Sequence, residues 1–360
     1  MPYVPRLIDP RPSVESRRPP LAFEPRESGV LLRSVNWLGD LLMTLPATWQ
    51  LKRLLPKGTP LWALSPAALA PVWQAAPWID GVIPFDGRHP DRDVCAAVRE
   101  RHFGLGVVLP NSFGSAADLW KCGLPKRLGR SGNLRSLLLT DRIRPWPRGK
   151  DAPKCHQLSY YLELISVFGE ITFTAECPPL KVSSDYAKSL GVCKGGGWLA
   201  LAPGAAFGPA KQWPAEDYAD VARVWLSRGG QVLLLGSGKD AAATAAVKAL
   251  LPQCRDLAGQ TDLPQLMSLL AASDAVLAND SGAMHLAAAL GTPGVAIFLS
   301  TNDIATGPLG APWELFVADV PCRPCLKREC PRTGDGQYAC RKAIAVAAVT
   351  DATLKLWPSP

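Results

Sequence analysis

Residues 275–298 read AVLANDSGAMHLAAALGTPGVAIF. An apolar run over 275–278 ends in Asn279-Asp280-Ser281-Gly282. A small-residue stretch with helical spacing follows, and Gly291-Thr292-Pro293-Gly294 breaks it before a second apolar run. Strand, helix and strand joined by short turns make a βαβ unit, whose two strands lie parallel in one sheet. Residues 281–302 lack Asp, Glu, Lys and Arg. The turn and His285 interrupt them, so the stretch is not read as a membrane span.

The same alternation extends upstream. GWLALAPG (197–204), a helix over 214–228, QVLLLGSG (231–238), a helix over 239–251, CRDLAG (254–259) and a helix over 263–271 precede the quoted unit. An earlier series begins with GVLLRSV (29–35), NWLGD and a helix, then runs through PLWALS, GVIPF and LGVVLP. It blurs over a basic segment and resumes with a helix near 156–168. Around 169–181 the text turns irregular, with Cys177-Pro178-Pro179. The expected organisation is a disordered, proline-rich tail (1–28), a first doubly wound α/β domain (29–178) and a second (179–360), with a loose end from Pro358. Open α/β sheets bind ligands outside the carboxyl ends of their strands, so two such domains predict a central cleft.

Composition is globular, with 48% hydrophobic and 19% charged residues. The first 29 residues hold seven prolines and no apolar core run. No secretory signal is read there, and a cytoplasmic protein is expected. The formal charge of +8 is concentrated: ten Lys or Arg lie between Lys121 and Lys154, against Asp141 and Asp151. A solvated basic face and a dock for phosphates or an anionic membrane surface are both open readings.

Five stretches are candidate sites. In NDSG, Asp280, Ser281 and Gly282 fall where a strand ends and a helix begins, with His285 about one turn in. Unpaired N–H groups and the positive end of the helix dipole suit a phosphate there, and a plain helix cap is the alternative. In PGAAFGPAKQWP (203–214), Gly204 opens a glycine-rich loop whose cation, Lys211, is a point-charge partner for phosphate; otherwise this is a flexible loop. In NWLGD (36–40), Gly39 permits a tight turn. Asp40 is either a helix cap or an ionised carboxylate able to take a proton from an attacking hydroxyl. GSGKDA (236–241), with Gly236 first, matches a dinucleotide fingerprint with Asp256 downstream, and a sugar or nucleotide loop fits it equally. Cys322, Cys325, Cys330 and Cys340 suggest a structural zinc site or a loop of reduced thiols. No H-x-E exists to make a zinc deaminase.

In order, RSVNWLGDLLMTLPA (33–47), PGAAFGPAKQWP and NDSGAMHLAAALGTPGVAIF (279–298) resemble the lipopolysaccharide heptosyltransferases of glycosyltransferase family 9, over residues 30–345. The resemblance implies a GT-B fold, two Rossmann-like domains facing a central cleft. Acceptor binding would fall to the N-terminal domain and nucleotide-sugar binding to the C-terminal one. It implies an ADP-L-glycero-β-D-manno-heptose donor, inversion at the anomeric carbon, no obligatory metal, and an anionic lipopolysaccharide inner-core acceptor. Asp40 takes the place of the catalytic base and Lys211 that of the diphosphate lysine. Asp280, Ser281, Gly282 and His285, with Gly204 and Gly236, form the donor side. On the acceptor side we place Asn36, Lys126, Arg127, Arg130 and Arg135, at the inner face of the cytoplasmic membrane, with no nucleic-acid partner. The chain departs from the family where relatives carry Gly-Pro-Ser or -Thr after the last strand; here it reads LSTND (299–303). The rival classes are a nucleotide-sugar epimerase, an NAD-dependent oxidoreductase built on GSGKDA and a non-catalytic glycan-binding module.

Overall fold

The computed structural model describes residues 1–9, 29–132, 134–145 and 154–357. Most of the expected N-terminal tail, Arg148 and Lys150 of the basic segment, and the loose end from Pro358 lie outside the described residues. The chain divides into two compact units, Arg6–Lys181 and Val182–Pro360 with Met1–Pro5.

The first unit is built on six parallel strands: β1 (Val30–Arg33), β2 (Leu61–Pro66), β3 (Gly81–Phe85), β4 (Leu105–Val108), β5 (Lys126–Arg130) and β6 (Asp141–Ile143). Their order is β3-β2-β1-β4-β5-β6. The second unit has β7 (Trp198–Ala202), β8 (Gln231–Leu234), β9 (Arg255–Asp256), β10 (Ala275–Asn279), β11 (Gly294–Phe298) and β12 (Trp313–Val317), ordered β12-β11-β10-β7-β8-β9. Each unit starts at a central strand, winds to one edge, then returns and winds to the other. Each is therefore doubly wound, with a switch point at β1/β4 and at β7/β10. β1, β4, β7, β10 and β11 are wholly buried, as near-continuous apolar runs covered on both faces must be.

Three strands escaped the sequence reading. KRLGR lacks an apolar run, and its Arg127 and Arg130 turn inward to internal partners; DRI is only three residues long, with Arg142 exposed. WELFV is an edge strand and is half-exposed along most of its length. Residues 1–9, expected to be loose, are held. Tyr3 N–H donates to the Trp313 carbonyl at 2.6 Å, and Ile8 N–H to Ser159 Oγ at 3.1 Å. A disulfide joins Cys95 and Cys122 in the first unit. Among the described residues no helix is long and apolar enough to cross a membrane.

Candidate functional site

β10 ends at Asn279, a polar side chain at the last position of a fully buried strand. Such a group must find partners. Asn279 Nδ2 donates to the Pro203 carbonyl at 2.7 Å, and its Oδ1 accepts from Trp213 N–H at 3.1 Å. Both partners belong to the loop that leaves β7. One side chain therefore pins the start and end of PGAAFGPAKQW to the neighbouring strand, across the switch point.

The pinned loop delivers Lys211 to Asp280. Lys211 Nζ lies 2.7 Å from Asp280 Oδ2 and 3.2 Å from the Asp280 carbonyl. Thr301, from the divergent LSTND stretch, donates to the same carboxylate oxygen at 2.6 Å. His285 Nε2 stands 4.0 Å from Oδ1. Asp280 is buried and His285 nearly so. Burial pushes the His285 imidazole down to about 4, against the pull of Asp280 and with the push of Lys211, so it is neutral at neutral pH. Lys211 is thus an ion-paired, largely buried cation and not an exposed lysine on a flexible loop.

The helix after Asp280 spans Gly282–Ala289, with Ser281 at its N-cap. Ser281 Oγ makes no capping bond, and it is buried without a hydrogen-bond partner among the described residues. The expected alternative, a side-chain cap by Ser281, is absent. Free N–H groups of the first helical turn and an unused hydroxyl therefore lie beside the Lys211–Asp280 pair. The pair sums to no formal charge, so an anion here meets oriented N–H dipoles more than net charge.

Gly204 and Gly236 come together around Asp240. A Cβ on Gly204 would overlap the Asp240 carboxylate, and one on Gly236 would press on the Asp240 Cβ. Asp240 completes a capping box with Ser237, accepting from its N–H at 2.9 Å and from its hydroxyl at 2.7 Å. These glycines make room for a cap. Asp256, the acidic residue of the dinucleotide reading, accepts from Ala258 N–H at 3.0 Å within its own turn.

In the first unit, the helix after β1 spans Leu38–Leu54 with Trp37 at its N-cap. Gly39 and Asp40 are helical, so the expected tight turn and Asp40 cap are corrected: the apolar run resumes too soon for a turn to fit. Asp40 sits in the first helical turn, partly buried, and faces Gln157. Burial raises its pKa and the Gln157 hydrogen bond opposes the rise. The expectation of a favoured ionised form is therefore also corrected. A raised carboxyl is the better proton acceptor, provided it is still ionised at the working pH. Asn36 is exposed; its Oδ1 accepts from Arg33 Nη1 at 3.3 Å. Arg33 is buried against Asp118 at 2.8 Å, and His89 Nδ1 meets the other oxygen of Asp118 at 2.8 Å.

Three arginines of the basic segment turn inward instead of joining a cationic face. Arg130 is buried, with Nη2 2.7 Å from Glu163 and its guanidinium 4.0 Å from the Tyr160 ring centre. Arg135 is buried and bonded to the Asn111 side chain at 2.5 Å and to the Asn111 and Arg130 carbonyls. Arg127 donates to the Leu138 and Leu124 carbonyls. These three arginines hold the β5–β6 region together, while Lys126 is exposed.

Cys322, Cys325, Cys330 and Cys340 line one cavity of about 30 Å³ with Ser300 and Tyr338. Burial and the other three thiols raise Cys340, while N–H groups of Tyr338 and Arg332 lower Cys330. Yet among the described residues no group of three or more His, Cys, Asp or Glu side chains is placed to hold a metal ion. As placed, the thiols converge without closing a coordination sphere.

Comparison with known proteins decides the class. The profile described as glycosyltransferase family 9 (heptosyltransferase) matches residues 92–334. The chain belongs to glycosyltransferase family 9. It is similar to lipopolysaccharide heptosyltransferase 2 of Escherichia coli (strain K12), 32% identical over 299 residues, 78% of this chain and 85% of that one. Lipooligosaccharide heptosyltransferase 2 of Haemophilus ducreyi is 30% identical over 302 residues, covering 78% and 86%. The solved structure of E. coli ADP-heptose lipopolysaccharide heptosyltransferase II matches with a TM-score of 0.75 at 29% identity, over 91% of this chain and 98% of that one. A family 9 glycosyltransferase from Veillonella parvula shares the fold, with a TM-score of 0.77 at 21% identity over 93% and 99%. This family 9 chain is a glycosyltransferase with the pair of Rossmann-like units of a GT-B fold.

Sequence reasoning missed Asn279, Thr301 and Gln157. Asn279 carried a signal, since a polar residue ending a buried strand needs partners. Thr301 and Gln157 carried none, because their partners are 21 and over a hundred residues away.

Proposed function

We propose that this family 9 enzyme transfers heptose, with inversion, from ADP-L-glycero-β-D-manno-heptose to the lipopolysaccharide inner core, onto the first heptose. The observation that carries the donor side is the Asn279-pinned loop, which sets Lys211 against Asp280 beside an open helix start. The names of its relatives supply the sugar and the acceptor class. An acceptor hydroxyl oxygen attacks the anomeric carbon, the bond from that carbon to the β-phosphate oxygen breaks, and the hydroxyl proton passes to Asp40. ADP departs with the bonding electrons. Lys211 and the N–H groups at Ser281–Gly282 meet the charge that grows on the diphosphate. His285, neutral, offers a hydrogen bond without adding charge. No step is routed through a metal ion or cofactor. Asp40, just beyond the carboxyl end of β1, is where open α/β sheets take their ligands. We place the work at the cytoplasmic face of the inner membrane, where such an acceptor is made, with no nucleic-acid partner.

The test is ADP release by purified protein given ADP-heptose and a core-truncated lipopolysaccharide bearing one heptose, for the wild type and Asp40→Asn. Acceptor-dependent release that the variant loses is the expected result. Release without acceptor, or equal release by the variant, overturns the proposal.

A further inference from the structure

Among the described residues, five large apolar side chains of the first unit stand exposed, and four of them follow adjacent strands. Trp37 (72% exposed) follows β1, Phe113 (48%) follows β4, and Leu134 (76%) and Leu137 (84%) follow β5. The strands β1, β4 and β5 are neighbours in the sheet. Leu134 caps and Leu137 ends a one-turn 3₁₀ segment, Arg135–Leu137. Three residues apart in such a turn, they fall on one side.

The turn is built to hold them out. Arg135, between them, points inward and is buried on Asn111 and Arg130. Gly132 N–H donates to Ser136 Oγ at 3.0 Å, and Leu137 N–H to the Leu134 carbonyl at 3.3 Å, which closes the turn. Leu134 has φ of 59°, a left-handed conformation that Asn or Gly adopts more cheaply. An apolar side chain at this position therefore carries two costs, backbone strain and exposure, and nothing in the fold offsets either. The surroundings are cationic. Exposed Arg142 reaches toward the turn, with Nη1 3.5 Å from the Ser136 carbonyl. Lys121, Lys126 and Arg144 of the same basic segment are also exposed.

We infer that the Leu134–Leu137 turn is a membrane-docking knob that enters the interface of an anionic phospholipid surface. The inference rests on the reading of the acceptor as lipid-anchored. Apolar side chains in the headgroup–acyl boundary, with attraction between cations and anionic lipid around them, are the two contributions that together hold a peripheral protein on a bilayer. Neither the expected arginine face nor a spanning helix is required. Asp40, at the same edge of the sheet, would then meet sugars that rise from the membrane plane.

The test is cosedimentation with phosphatidylcholine–phosphatidylglycerol vesicles, comparing the wild type with Leu134→Asn/Leu137→Ser. Asn suits the left-handed backbone, so the thermal midpoint should hold. Leu137→Phe keeps the apolar contact and should keep binding. We expect the double variant to lose about tenfold or more in vesicle partitioning. Transfer to a deacylated, water-soluble acceptor should be unchanged, and transfer to the same acceptor in vesicles should fall. A folded double variant that sediments like the wild type overturns the inference, as does a wild type that does not bind these vesicles. Failure of the wild type to glycosylate either acceptor would instead sink the proposed reaction, and the vesicle result would still stand by itself.

Discussion

Replacing Asn279 with Ala tests whether one side chain assembles the donor side. The substitution removes the 2.7 Å bond to the Pro203 carbonyl and the 3.1 Å bond from Trp213 N–H. Asn279 is fully buried, so the stripped carbonyl and N–H have little access to water. A buried polar group left unpaired costs about 1–3 kcal/mol, and two with partial relaxation cost about 2–4 kcal/mol. For a unit of this size that lowers the midpoint by about 5–15 °C. The loop that carries Lys211 then loses its tie to β10 at both ends, and a displaced binding group costs about ten- to a hundredfold in donor use. Calorimetry of the purified variant reads the first effect; ADP-heptose titration at a temperature where it is folded reads the second. A midpoint within a degree or two of wild type together with unchanged donor affinity would refute the pinning argument.

Arg130→Met should destabilise the first unit more than it alters acceptor use, because it leaves buried Glu163 with Arg144 alone, at a cost of about 1–3 kcal/mol, whereas Lys126→Ala should leave the melting curve nearly unmoved. Gly204→Ala should destabilise by about 1–3 kcal/mol through overlap with Asp240, and Asp240→Ala should relieve part of that in the double variant. Asp40→Asn should lower kcat by about 10²–10⁴-fold with donor affinity intact, read by ADP release and by titration. The base must be ionised, so activity is lost as pH falls through the raised Asp40 pKa. The acid limb of kcat/KM should therefore lie above the ordinary aspartate range. Gln157→Leu removes the bond that favours the carboxylate and should move the limb to still higher pH; no movement would dismiss Asp40 as the titrating group.

The strands that build both switch points were legible because parallel strands buried on both faces must be apolar. The polar strand β5 was not, since Arg127 and Arg130 find partners that local sequence does not show, nor was β6, three residues long with Arg142 exposed. Glu163 lies 33 positions beyond Arg130, and no count of charge within the segment could pair them. Arg127, Arg130 and Arg135 thus looked like surface charge and are internal framework. NDSG was legible as a strand end meeting a helix start. What it does there was not, because Lys211 arrives from a loop 69 residues earlier. A glycine marks space, and sequence does not say that Asp240 lies against Gly204 and Gly236.

Strand β10 pairs with β7 at Ala275↔Leu199, across all the chain that forms β8 and β9. Closing a long loop before any contact rewards it is the slow part of assembling a parallel sheet. A polypeptide emerging from the ribosome only as far as Ser273 holds Lys211 and the whole glycine-rich loop, yet no Asn279 to fasten it and no Asp280 to receive the lysine. The donor seat is therefore a late product of synthesis, made only once its last strand arrives.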